Sequence, residues 1–82
     1  MNPIRERLEE STIIADGLDD ALIGTAYREG IQLAVYSTVK TIETLIRDNS
    51  WTHEDAQEYF DYNISTAFVG EGTPIFVEDD DW

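Results

Sequence analysis

The sequence predicts a small single α+β domain, with a mainly antiparallel sheet of three or four strands carrying two helices on one face. The chain is 82 residues long and 41% hydrophobic, enough for one modest core. Two β-compatible runs flank Arg28-Glu29-Gly30, and two later stretches place apolar side chains at helical spacing behind residues suited to capping. A domain of this size buries only about 60% of the surface its unfolded chain exposes, so a cofactor domain beside a substrate domain is excluded.

Residues 3–10 (PIRERLEE) predict one helical turn or two, with Pro3 in the first turn and Ile4 and Leu8 four apart on one side. Thr12–Ala15 reads as a short strand closed by Asp16-Gly17, where Gly accepts a positive φ and Asp bonds back to the backbone. Ala21–Tyr27 and Ile31–Tyr36 form a hairpin across a three-residue connection, with Gly30 at the left-handed position and Gly24 marking a bulge or a close backbone approach. Ala21, Leu22, Ala26 and Tyr27 also fit helical spacing, so residues 19–29 are open to either reading.

Ser37 or Thr38 caps a helix running to about Asp48, with Val39, Ile42, Leu45 and Ile46 on one face. A second helix begins behind Thr52, with Glu54 and Asp55 in its first turn and Trp51 placed to staple onto Ala56. It is expected to reach about Phe68, burying Ala56, Tyr59, Phe60, Ile64, Ala67 and Phe68, and to stop at Gly70. Thr73–Val77 supplies a last strand, which Pro74 confines to an edge or to the strand's first residue. The expected core is Ile42, Leu45, Trp51, Phe60 and Ile64. Residues 1–11 and 78–82 are expected to fray.

Five Lys and Arg against eighteen Asp and Glu give a formal charge of −13 and a pI near 4.1. Direct binding to nucleic acid is excluded on that ground, because such binding releases counterions with cations this chain lacks. The same charge repels anionic lipid. With no cysteine there is no disulfide framework, thiolate zinc site or cysteine nucleophile. No apolar run approaches the roughly 20 residues needed to span a bilayer, and the N-terminal stretch is too polar for a signal peptide, so a cytoplasmic protein is expected.

His53, the one histidine, falls in the first turn of the second helix, without a nucleophile or orienting carboxylate in a recognisable motif. It reads as a solvated residue rather than a general base. Asp16, Asp19 and Asp20 are close enough to raise a divalent-cation site and, with it, a small metal-dependent hydrolase. Their spacing departs from the acidic calcium loop and no bidentate Glu follows, so turn formation and capping are the better reading. Asp79–Asp81 read as a solvated tail. No metal or cofactor is expected. Asn63 falls at the edge of the buried face, where its amide would tie the helix to a loop.

Glu54, Glu58 and Asp61 stand four and three apart, which puts them within about 60° of one another around a straight helix. A rise of about 1.5 Å per residue spaces neighbours roughly 4.5 to 6 Å along the axis, comparable to the phosphates of a nucleic-acid strand. Like charges at i,i+4 destabilise a helix, so a sequence chosen for stability alone would interleave Lys or Arg. The candidate partner-binding residues are therefore Glu54, Glu58 and Asp61, with Asp19 and Asp20 as further acids, and the expected partner is a basic protein surface. Trp82, Phe76 and the final strand could alternatively form the interface of a homo-oligomeric accessory protein.

The blocks Asp16-Gly17-Leu18-Asp19-Asp20-Ala21-Leu22-Ile23-Gly24, Val35-Tyr36-Ser37, Glu58-Tyr59-Phe60-Asp61-Tyr62-Asn63 and Phe68-Val69-Gly70-Glu71-Gly72-Thr73-Pro74-Ile75-Phe76 occur in that order. Together they resemble a group of small acidic proteins encoded by bacteriophages and related elements, over about residues 12–77. The resemblance transfers no catalytic residue. It implies a genomic setting in which small acidic proteins bind and block nucleic-acid enzymes of the host cell, in its cytoplasm.

Overall fold

A computed structural model of the chain describes residues 2–64 and 70–78. Strands β1 (Leu22–Arg28) and β2 (Ile31–Ser37) pair antiparallel, and β3 (Ile75–Val77) pairs with β2 in parallel, giving the order β1-β2-β3. Helices α1 (Thr38–Asn49) and α2 (His53–Tyr59) lie between β2 and β3 in sequence. A tight turn cannot join parallel neighbours, so the chain returns from β2 to β3 by a crossover through both helices. The domain is α+β, with a mostly antiparallel three-stranded sheet.

The hairpin resolves residues 19–29. Asp19–Ala21 form one 3-10 turn that leads directly into β1, so the helical alternative fails. The connection is two residues rather than three: Arg28 pairs with Ile31, and Glu29 and Gly30 both take positive φ, 52° and 83°. That is the mirror-image turn whose twist matches the strands, and it places Glu29 as well as Gly30 in the left-handed region. The register shifts between Leu22 and Gly24, the bulge that a glycine there foretells.

Both helices begin as expected. Ser37 Oγ accepts from the Lys40 N–H at 3.0 Å, and Thr52 Oγ1 accepts from the Asp55 N–H at 3.1 Å. Thr41 and Thr44 tolerate burial on α1 because their hydroxyls donate to the Ser37 and Lys40 carbonyls one turn back. The helices pack through Ile42, Leu45, Ala56 and Phe60, with Ile46, Trp51, Ile64 and Phe76 against them. Phe76 joins this cluster to the sheet: it stacks on Tyr36 at 5.2 Å and meets Phe60 edge-on at 5.5 Å. The expected core residues all belong to this assembly. Phe76 is partly buried in it.

Two expectations need correction, the Thr12–Ala15 strand and the course of the second helix. Thr12–Ala15 form no strand; instead, side chains of β2 satisfy this segment. Gln32 Oε1 accepts from the Glu9 N–H and the Thr12 hydroxyl, at 2.8 and 2.6 Å, and the Tyr36 hydroxyl accepts from the Ala15 N–H at 2.9 Å. Residues 2–18 thus form a strap over the face presenting Gln32 and Tyr36, with Ile4, Leu8 and Ala15 against the buried cluster of Leu18, Ala21, Leu22, Ala34 and Tyr36. The N-terminal helix is a single 3-10 turn, Arg5–Arg7, and Asn2 is tied by its Nδ2 to the Asp19 and Leu22 carbonyls at 2.7 and 2.8 Å. The second helix stops being α-helical at Tyr59 and continues as a π-helical turn, Phe60–Ile64. Its expected extension through Ala67 and Phe68 lies outside the described residues, as do Asp79–Trp82. Gly70 takes φ 105° and its carbonyl accepts from both the Thr73 N–H and hydroxyl, closing the turn that precedes Pro74.

Candidate partner-binding surface

The last Lys or Arg in the chain is Arg47, while more than half of the eighteen acids follow it. The two halves of the fold therefore differ in how their acids are treated. On the N-terminal side, Arg5 Nη1 lies 2.7 Å from Asp19, and Arg47 reaches Asp20 through Nη1 at 2.9 Å and Asp48 through Nε at 2.8 Å. The hydrogen bond from Arg47 holds the Asp48 carboxyl below its ordinary pKa, and both carboxylates raise that of Arg47. Asp19 and Asp20 thus answer cations of their own chain, in ion pairs that leave both carboxylates about half exposed or more. Among the described residues no group of three or more potential ligands could hold a metal ion, and Asp16, Asp19 and Asp20 form none.

α2 carries the opposite arrangement. Glu54, Asp55, Glu58 and Asp61 are all exposed, as is His53. They are exposed for a local reason: Ala56 and Phe60 supply the buried face, so the intervening positions turn to solvent. Thr52 caps the helix, and Glu54 and Asp55 in its first turn favour the positive end of its dipole. Asp61 stands one residue into the π-helical turn, where each residue advances by a smaller angle than in an α-helix, so the ridge departs from the straight stripe the spacing predicts. It still lies beside α2, since Gln57 Nε2 donates to its Oδ1 at 3.1 Å.

Tyr59, the last residue of α2, and Tyr62 and Asn63 on the π-helical turn are all exposed. Tyr59, expected in the core, is 41% exposed with its ring tilted against Trp51 at 5.1 Å, and Tyr62 is 79% exposed. Asn63 is exposed rather than tucked beneath a loop. Exposed acids and tyrosines are thus neighbours in sequence, Glu58-Tyr59 and Asp61-Tyr62, a composition suited to Arg and Lys, whose cations interact with carboxylates and with aromatic faces alike.

Beside this surface runs a groove of about 290 Å³. The strap supplies Ile13, Ile14 and Asp16; the second helix and its π-helical turn supply Tyr59, Asn63 and Ile64; Pro74 and Phe76 close the far side. The strap and the turn before β3 approach closely, so a Cβ added at Gly72 would sit 3.1 Å from Ile13 Cδ1. The sequence held one signal of the groove, the apolar run Ile13-Ile14-Ala15, which reads as a strand because strap and strand share the same composition. Comparison with protein-family profiles, with curated proteins and with solved structures finds no match to this chain.

Proposed function

We propose that this chain is an acidic binding protein that occupies the basic, nucleic-acid-binding groove of another protein and inhibits it as a mimic of the phosphate backbone. The observation that carries this reading is the contrast between the two acid sets. Asp19 and Asp20 meet arginines of their own chain, whereas Glu54, Glu58 and Asp61 stand exposed in a half of the chain that has no Lys or Arg. Repulsion among them weakens the helix they sit on, and a cationic partner would convert that cost into affinity and fast association. The resemblance to phage-encoded proteins favours a defence or DNA-processing protein of the host as the target, met in the host cytoplasm. The chemistry is binding, without a catalytic residue.

The test is affinity capture from a bacterial lysate with the native chain and the variant E54K/E58K/D61K, at 50 and 200 mM salt. The Debye length falls from about 14 to about 7 Å over that range, so the native chain should lose its partner steeply and the variant should capture nothing. The captured protein should bind nucleic acid, and the native chain should compete with it. Retention of the same partner by the variant, insensitive to salt, would discard mimicry.

A further inference from the structure

The groove beside α2 is a second, chemically different element of the same surface. Its wall is apolar at Ile13, Ile14, Ile64, Pro74 and Phe76, and its rim carries one carboxylate, Asp16, which is exposed and takes part in no ion pair among the described residues. Tyr59 belongs to both features: it lines the groove and stands between Glu58 and Asp61 in the acidic sequence. A cavity of about 150 Å³ can hold a benzene ring, so 290 Å³ accommodates one aromatic or branched side chain with part of its neighbour.

We infer that this groove seats an apolar side chain of the basic partner, carried on a segment in which Lys or Arg flanks the apolar residue. The inference rests on the proposed binding of a basic protein and adds where that partner is anchored. Charge selects the occupant: a cation beside the anchor meets Asp16 on the rim of a strongly acidic chain, whereas a second copy of this chain brings a further −13 to the same place. Buried apolar anchors dominate many interfaces, while solvated charges mainly steer, so ridge and groove divide the work between encounter and retention.

Three amidated peptides test this by nuclear magnetic resonance titration of the full chain: Lys-Arg-Phe-Leu-Lys-Arg, Lys-Arg-Ser-Ser-Lys-Arg and Glu-Glu-Phe-Leu-Glu-Glu. The first should shift the amides of Ile13, Ile64 and Thr73 and bind about tenfold more tightly than the second. Asn63→Trp, which fills the groove from an exposed position, should lower the first peptide to the level of the second. Asp16→Lys, which reverses the rim without filling it, should weaken the first peptide and strengthen the third. Equal binding of both basic peptides, unmoved by either variant, would overturn the groove while leaving the acidic ridge intact. Failure of both basic peptides would remove ridge and groove together. Binding of the acidic peptide as tightly as the first, or concentration-dependent self-association shifting the same amides, would assign the groove to another occupant and overturn the inference.

Discussion

Tyr36 shows how one side chain can serve two layers. It is fully buried, stacks on Phe76, and accepts the Ala15 N–H through its hydroxyl oxygen, so the sheet face, the helical cluster and the strap meet at one ring. Burial is the leading cause that raises its pKa above the usual tyrosine value, opposed by the hydrogen bond from Ala15 and reinforced by Asp19. A raised folded pKa means that the protonated phenol is the native form. Its contribution to stability is complete below the unfolded value near pH 10, and is lost as pH rises through the folded one. The thermal midpoint of the native chain should therefore fall more steeply above about pH 10 than that of Tyr36→Phe, while near pH 7 the variant should be less stable by about 1 to 3 kcal/mol because the Ala15 N–H loses its acceptor. Circular dichroism melts from pH 7 to 11 would decide it, and parallel alkaline declines in both proteins would refute the assignment. Gln32 has a similar joining role with neutral chemistry: its buried amide accepts from Glu9 and Thr12 and donates to the Tyr27 hydroxyl at 3.3 Å. Its position in a strand is legible from sequence; its partners, more than twenty residues away for Glu9, are not.

Elements were legible where their signals are local. Ser37 and Thr52 announce their helices because a cap bonds to a backbone group three residues on, and Gly24 and Gly30 announce a bulge and a turn because only backbone conformation is at stake. The strap, the parallel docking of β3 and the π-helical turn depend on contacts between distant segments, so the apolar run at Ile13 read as a strand and the second helix as straight. The acidic ridge could be read from i,i+4 spacing, but not that Asp19 and Asp20 are engaged by Arg5 and Arg47. Phe60 sits where these elements meet, at the junction of α2 and its π-helical turn, 6% exposed and edge-on to Phe76. Phe60→Ala should cost about 3 to 5 kcal/mol, because the cavity would open between helices and sheet at once. Thr52→Ala removes only a solvent-exposed cap and should cost about 1 kcal/mol. Urea unfolding of both variants separates these magnitudes; an unchanged midpoint for Phe60→Ala would displace it from the core.

At the scale of the whole molecule, the charge that fits the chain to a basic partner works against its own compact state. Self-repulsion at −13 is only locally relieved, by exposed or half-exposed ion pairs that solvent and salt screen strongly. Salt weakens those few attractions and the far more numerous repulsions together, and beyond Asp48, which Arg47 engages, the acids lie in a stretch without Lys or Arg. The free chain should therefore become more stable as sodium chloride rises from about 50 to 500 mM, and relief of about 1 kcal/mol would lift the thermal midpoint by about 4 to 8 °C in a domain of this size. Partner binding should move the other way over the same range, since there the screened interaction is attractive. The variant E54K/E58K/D61K couples the two effects. It roughly halves the net charge and turns repulsion by the remaining acids into attraction, while the three lysines repel one another as the acids did and Lys at position 54 opposes the helix dipole, so its stability at low salt should be similar or higher. Its midpoint should also rise less with salt than that of the native chain. Scanning calorimetry of both proteins across the salt series measures this directly. A native midpoint that falls with salt, or an equal slope in the two proteins, would show that repulsion centred on Glu54, Glu58 and Asp61 is not what the fold bears for its acidic surface.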